Sequence, residues 1–313
     1  MAEIITIGEI LVEIMAKEVD QKFYETGEYM GPFPSGAPAI FTDQAAKCGS
    51  NAMILSAVGD DGFGRINLDR LKNSGVDISS IKVLDDETTG VAFVTYKENG
   101  DRDFIYHIGN AACGKIDEKY VRESDFQDIK YLHIMGSAIY NEGIRAAILK
   151  AIDLAKKKEA KITFDPNVRK EIVKDEEGRK LLAHILKISD IILSGENELF
   201  YLMGIEDEKQ CIEILFNEGV ETVIIKRGSR GATLFTEELE LIIPPYEVEE
   251  IDPTGAGDCF AGTFVSCINQ DIDVVQSARL ASIAGAMAVT KRGPMSGNTT
   301  FHELNKIYDK IYR

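Results

Sequence analysis

The chain has 313 residues, 44% of them hydrophobic, and a formal net charge of −17. That is enough apolar sequence for a sizeable core, and an acidic balance with no basic stripe excludes a nucleic-acid binder. No run is long and apolar enough to span a membrane, and the start, Met1-Ala2-Glu3-Ile4-Ile5, lacks the basic-then-apolar pattern of a secretory signal.

The five cysteines (Cys48, Cys113, Cys211, Cys259, Cys267) are odd in number, widely spread and free of any Cys-x-x-Cys pair. They read as reduced thiols of a cytoplasmic protein. Four histidines without metal-ligand spacing give no zinc site.

Glu3 to Met15 reads as a strand broken by Gly8-Glu9. Tyr24 to Pro34, rich in Gly, Pro and aromatics, reads as a loop or short strand over a site. Ser35-Gly36-Ala37-Pro38-Ala39-Ile40 opens a helix, and the small Gly36 and Ala37 let a ligand come close to the backbone. Met53 to Val58 is a buried strand ended by Gly59-Asp60-Asp61-Gly62, and a helix follows through Leu68 and Leu71. Val91 to Tyr96 and Phe104 to Ile108 are aromatic β-runs on either side of Asn99-Gly100, the dipeptide that favours a hairpin.

From Tyr131 onward strands and helices alternate. Tyr131 to Met135 is a strand whose His133 reads as a core histidine. Asn141 is the expected N-cap of a helix reaching Lys158. Strands follow at Lys161 to Asp165, Ile191 to Leu193 and Thr222 to Lys226, with helices over Glu177 to Ile188 and around Glu213 to Phe216. Leu241 to Ile243 is strand-like, and Phe260, Phe264 and Ile268 recur at helical spacing. Such alternation predicts an α/β protein with a mostly parallel central sheet and helices on both faces, its site at the carboxyl ends of the strands. No linker or repeat divides residues 1–313 into two domains.

The chemistry gathers at those strand ends. Asp252-Pro253-Thr254-Gly255-Ala256-Gly257-Asp258 joins a strand to a helix. The amides of Gly255, Ala256 and Gly257 at a helix N-terminus attract an anion such as phosphate. Asp258 beside them can take a proton from an attacking hydroxyl. Asp165-Pro166-Asn167-Val168-Arg169 places an acid, an amide and a guanidinium at another strand end, and the planar fork of Arg169 suits an oxyanion. Lys226-Arg227-Gly228-Ser229-Arg230-Gly231 ends a strand with two glycines and a basic cluster. The Gly-Lys-Ser/Thr phosphate loop is absent.

The string Asp-Pro-Thr-Gly-Ala-Gly-Asp-Cys-Phe resembles the C-terminal signature of the ribokinase family, the phosphofructokinase-B type of carbohydrate kinases. The resemblance runs from about Ile4 to Gly297. It implies a ribokinase-like three-layer sandwich with a small β-sheet lid formed by about residues 12–34 and 89–110, closing over a sugar. It further implies an ATP-dependent kinase acting on a primary hydroxyl, with Asp258 as base and ATP and Mg2+ as cofactors. The aromatic β-sequence of the hairpin, far from a core motif, predicts a homodimer formed through the lid.

Carried over position by position, the sugar would meet Glu13, Gly36, Ala37, Phe104, Tyr106, Arg169 and Asp258, and ATP would meet Lys226, Gly228, Gly231, Ser282 and Gly285. Glu198 falls at the glutamate of the family's Asn-x-x-Glu motif and would hold Mg2+ through water, with Gly195 in place of the asparagine. Asp252 and Thr254 match positions that help bind a monovalent cation such as K+. Ile40 stands where the family usually has a sugar-contacting asparagine, and reads here as a buried helix residue. The Gly8-Glu9 start and the Asp-Pro-Asn-Val-Arg loop are most similar to tagatose-kinase-like, fructokinase-like and 2-keto-3-deoxygluconate-kinase-like members. A nucleoside kinase of the same family and a non-catalytic sugar- or nucleotide-binding protein on this fold are the alternatives.

Overall fold

The computed structural model describes residues 2–98, 102–168 and 175–313. Strand β1 (Ile4–Ile7), buried throughout, runs into β2 (Leu11–Ala16), and β3 (Tyr29–Ser35) returns antiparallel to β2. Helix α1 (Ala37–Lys47) follows, then β4 (Ala52–Gly59), α2 (Gly62–Asn73), β5 (Ile81–Leu84) and the pair β6 (Gly90–Tyr96) and β7 (Arg102–His107). The pattern then settles into β8 (Tyr131–Met135), α3 (Glu142–Lys157), β9 (Lys161–Asp165), α4 (Glu176–Ile188) and β10 (Ile191–Gly195). Helices α5 (Glu196–Met203) and α6 (Glu208–Asn217) precede β11 (Thr222–Lys226), β12 (Ala232–Phe235) and β13 (Glu240–Ile243). Three helices close the chain, α7 (Ala256–Asn269), α8 (Val274–Ala288) and α9 (Phe301–Tyr312).

The large sheet has nine strands in the order β13-β12-β11-β10-β9-β8-β1-β4-β5. Its strands from β11 to β5 are parallel, so their carboxyl ends lie on one edge. Strand β12, which the sequence reading passed over, pairs antiparallel with β11 and with β13, so the sheet is mixed at that end. Fully buried runs such as Ile54, Leu55 and Ile192, Leu193 reflect helices on both faces. Helix starts carry the expected caps: Asn141 accepts from the Ile144 amide at 3.0 Å, and Thr300 with Glu303 forms a capping box.

The second sheet has four strands in the order β3-β2-β6-β7. It joins the two segments expected to form the lid, and Tyr96 pairs with Arg102 across the hairpin. The Asn99-Gly100 turn itself lies outside the described residues. One face of β7 is turned inward and the other exposed, as a half-covered sheet requires. His133 is a core residue as expected: its ring stacks on Phe41 at 3.8 Å, Nδ1 meets the Thr163 hydroxyl at 2.7 Å, and burial keeps its pKa well below the usual imidazole range.

Candidate active site

A cavity of about 290 Å³ opens between the carboxyl edge of the large sheet and the inner face of the small one. Helix α7 enters it N-terminus first. Gly255 adopts φ +84°, a left-handed conformation, and a Cβ there would lie 2.4 Å from the Pro294 carbonyl, so no other residue fits the turn. No side chain caps this helix. Its first-turn amides, those of the Gly255-Ala256-Gly257 loop, therefore face the cavity without an intrahelical partner.

Asp258 lies in the first turn of α7, buried on the cavity wall. Asn167, at the end of β9, donates from Nδ2 to Asp258 Oδ1 at 3.3 Å. Asn167 holds φ +35°, a conformation that asparagine tolerates better than most residues, and its own amide donates to Asp165 Oδ1. Asp165 is buried and its Oδ2 accepts from Lys226 Nζ at 2.5 Å. Burial works to lower the Lys226 pKa, but the carboxylates of Asp165, Glu198 and Asp258 outweigh it and keep the ammonium charged. A Cβ at Gly257 would lie 3.3 Å from Lys226 Nζ, which puts this ammonium against the anion loop.

Glu198 also lines the cavity, but its carboxylate is oriented by backbone amides. Gly195 N donates to Oε2 at 2.7 Å and Val168 N to Oε1 at 3.1 Å. Glu196, two residues earlier, is instead paired with Arg227 and Arg230. Among the described residues no group of three or more His, Cys, Asp or Glu side chains gathers as a metal cage. A magnesium ion held through water by one oriented carboxylate, with phosphates completing its shell, does fit these residues.

Asp252 and Thr254 are held in a hydrogen-bond network. Asp252 Oδ1 accepts from Thr254 N at 3.0 Å and from the Tyr96 hydroxyl at 3.2 Å, and Oδ2 accepts from Gly293 N at 2.9 Å. The Thr254 hydroxyl accepts from Arg102 Nη1 at 3.0 Å. A guanidinium therefore shares the Thr254 hydroxyl, one of the two side chains that the resemblance assigned to a monovalent ion.

Of the positions expected to contact a sugar, Glu13, Gly36, Ala37, Phe104 and Tyr106 line the cavity. Gly36 sits at φ +110°, and a Cβ there would meet the Glu9 carbonyl at 2.4 Å. Ala37 follows it on the cavity wall. Phe104 and Tyr106 stack at 5.4 Å on β7 and line the opposite wall. Glu13, on β2, accepts from the Ser35 hydroxyl at 2.7 Å. Arg169 lies outside the described residues.

On the nucleotide side Gly228 lines the cavity, while Gly231, Ser282 and Gly285 are placed by packing. A Cβ at Gly231 would meet the Ile243 carbonyl at 2.2 Å, and one at Gly285 the Ala256 carbonyl at 3.2 Å. The Ser282 hydroxyl donates to the Pro244 carbonyl at 3.2 Å. Ile40 is buried, as expected, with its Cγ2 against the Gly255 turn. Cys259 is a packed thiol that donates to Asn298 Oδ1, and burial raises its pKa well above the usual thiol range.

Sequence reasoning named the Asp165–Asn167 loop and Lys226, but it missed Glu9 as part of the wall, the Asp165–Lys226 pairing and the contact of Asn167 with Asp258. Glu9 follows the buried strand β1 directly, and an acid at the carboxyl end of a parallel strand was the available signal.

Comparison with known proteins decides the family. The chain matches the pfkB family carbohydrate kinase over residues 1–300. This chain belongs to the pfkB family of carbohydrate kinases. It is an ATP-dependent sugar kinase on a ribokinase-like fold. It is 27% identical over 315 residues to Fructokinase-1 of Oryza sativa subsp. japonica, covering 98% of this chain and 97% of the relative.

Among solved structures, a "putative Ribokinase II" of E. coli in complex with ATP and Mg2+ is 44% identical with a TM-score of 0.94, covering 99% of this kinase and 100% of that chain. A fructokinase double mutant of Vibrio cholerae O395 with fructose, ADP and potassium bound shares the fold, with a TM-score of 0.87, 24% identity and 98% of each chain covered. Among the described residues of this kinase no helix is long and apolar enough to cross a membrane.

Proposed function

We propose that this kinase transfers the γ-phosphoryl group of ATP to a primary hydroxyl of a ketose, with Asp258 as the general base. The observation that carries the reading is the carboxylate of Asp258 beside an uncapped helix N-terminus, with the Lys226 ammonium against the same loop. A sugar hydroxyl next to Asp258 would give up its proton as it attacks. Charge on the transferred group would be met by the Gly255, Ala256 and Gly257 amides and by Lys226. Phosphoryl transfer asks mostly for such positioning and electrostatics. Magnesium arriving with the nucleotide would neutralise phosphate charge, and Glu198 would hold it through water.

Asn167 orients Asp258, and Glu13, Gly36, Ala37, Phe104, Tyr106 and Arg169 are the proposed sugar contacts. Fructose and tagatose are the first candidates, and the fructokinase relatives favour the ketose class. A monovalent cation near Asp252 and Thr254 stays part of the reading, since a carboxylate accepting three hydrogen bonds and a hydroxyl accepting one both keep acceptor capacity.

The small sheet is proposed as a lid over the sugar. Its outward Ile105, 41% exposed, and the half-buried Phe93 form an apolar face proposed to pair with a second copy. Light scattering tests that pairing, and a monomer at every workable concentration rejects it. ADP release by the purified protein over a panel of ketoses, aldoses, sugar acids and nucleosides tests the reaction. Turnover on a nucleoside alone, or on nothing, overturns the reading.

A further inference from the structure

The sugar end of the cavity holds a carboxyl group that the proposed reaction does not use. Glu9 is 4% exposed, lies on the cavity wall at the end of β1, and accepts from the Ser137 hydroxyl through Oε1 at 3.0 Å. No donor meets hydrogen-bond geometry at its other, buried oxygen, Oε2, although the amides of Glu9 and Ala37 lie close enough to the carboxyl to act on its pKa. A buried polar atom left unpaired is costly, and a native site usually retains one for a ligand. Strand β1 stands apart from β11 by three intervening strands, so Glu9 and Lys226 flank the cavity from opposite sides. Burial pushes the Glu9 carboxyl up to about 7, against the pull of the Ser137 hydroxyl and backbone amides, and the charge of Asp258 adds to the rise. A carboxyl that keeps its proton can donate as well as accept.

We propose that Glu9 is a specificity-determining substrate contact whose Oε2 meets a sugar hydroxyl, selecting a neutral polyhydroxy sugar over a sugar acid. The inference rests on the sugar-kinase reading of this cavity and narrows its substrate class. The serine hydroxyl protons nearby are already spent, that of Ser35 on Glu13 and that of Ser137 on Glu9. What remains for the ligand are carboxyl groups, which suit hydroxyls and oppose a carboxylate. Of the two described cationic side chains on the wall, Lys226 is paired with Asp165, and Arg102 donates to Thr254, so a sugar acid would have to compete with those partners for either cation.

The test is calorimetric binding of fructose, tagatose, gluconate and 2-keto-3-deoxygluconate in the presence of a non-hydrolysable ATP analogue. Wild type is expected to bind a neutral ketose at least about tenfold tighter than either acid. Glu9→Leu should weaken that ketose by about tenfold or more, the range expected when a buried polar contact is lost. Glu9→Gln, which still donates and accepts, should stay within about threefold. Affinity for the ATP analogue without sugar should be the same in all three and reports that the variants are folded. If the leucine variant melts, Glu9→Ser, polar but too short to reach, replaces it with the same expectation.

Unchanged ketose affinity in the leucine or serine variant overturns the proposal, as does tighter binding of an acid than of any ketose by wild type. ADP release is scored separately. Ketose binding without turnover counts against the kinase reading and leaves Glu9 judged by the affinities. Turnover that ignores Glu9→Leu counts against Glu9 alone.

Discussion

At one end of the cavity Gly255, Ala256, Gly257 and Asp258 come from four consecutive positions, and Lys226 and Asp165 stand opposite them at the ends of two strands of the same sheet. At the other end Glu9, Glu13, Ser35, Phe104 and Ser137 come from five separate places, three of them on strands of the small sheet. The phosphate end is charged and its ions are paired within the large sheet. The sugar end is made of carboxyl groups, hydroxyls and two stacked aromatic rings. A phosphate is one fixed shape, so one contiguous turn can be kept for it. A sugar is recognised hydroxyl by hydroxyl, and each contact comes from whichever element passes nearby.

Breaking the phosphate end should have the largest consequence. Asp258→Asn keeps the size of the side chain and a possible contact with Asn167 but removes the base. Turnover should fall by about 10²–10⁴-fold with ATP affinity nearly unchanged. Steady-state kinetics beside nucleotide titration checks this, and turnover within a few-fold of wild type would take the base role away from Asp258.

Lys226→Met sharpens the contrast by acting on stability and chemistry at once. It leaves Asp165 buried without its ammonium, which should cost about 3 kcal/mol. It also removes a positive charge from the anion loop, and kcat/KM for ATP should drop by about 10². Adding Asp165→Asn should restore most of the stability in a denaturant titration while leaving activity low. If activity returns together with stability, the ammonium serves the fold and not the phosphate.

Much of the large sheet was legible because its strands are short apolar runs between helices, as at Lys161–Asp165 and Thr222–Lys226, whose observed bounds match the expected ones. The anion loop was legible because its residues are adjacent. Strand β12 was not, since Ala232–Phe235 has four residues and no polar alternation. Glu9 was read only as part of a strand break, because nothing in a one-dimensional string says that the carboxyl end of β1 faces β2 and β7 across a cavity. Nor does a sequence say why Gly231 and Gly285 are glycine: a Cβ at either would press on a carbonyl, of Ile243 or of Ala256, whether or not a nucleotide lies beside it. A glycine needed for packing and one needed for a ligand look alike in sequence.

At the sugar end a single change should be milder, because several scattered contacts share the binding. Phe104→Ala removes one ring of the stacked pair with Tyr106 and the surface under Arg102, whose guanidinium lies 5.5 Å from the ring centre. KM for the sugar should rise about three- to tenfold, the range expected from one aromatic contact, with KM for ATP unchanged. A rise in both would show that the small sheet closes over the nucleotide as well.

The smallest effect is the one that tests whether the two ends differ in charge. Glu9 has an ordinary value of 4.5 when solvated and is raised to about 7 by burial in the folded chain. Between those values the folded state keeps a proton that the unfolded chain has released. That contribution favours folding at low pH, and it is lost as pH rises through about 7, where the carboxylate must be buried as an ion. Glu9→Gln cannot ionise and should lack this slope. Thermal melts at pH 6 and pH 8 should therefore show wild type losing about 1–2 °C more than the glutamine variant, as expected for about 1 kcal/mol in a chain of this size. Asp165 titrates in the same window in both proteins, so it cancels in the difference. Equal slopes would mean that Glu9 is already ionised at pH 6 in the folded chain. The sugar end would then be as charged as the phosphate end, and selection against a sugar acid would rest on repulsion rather than on a hydrogen bond donated by Glu9.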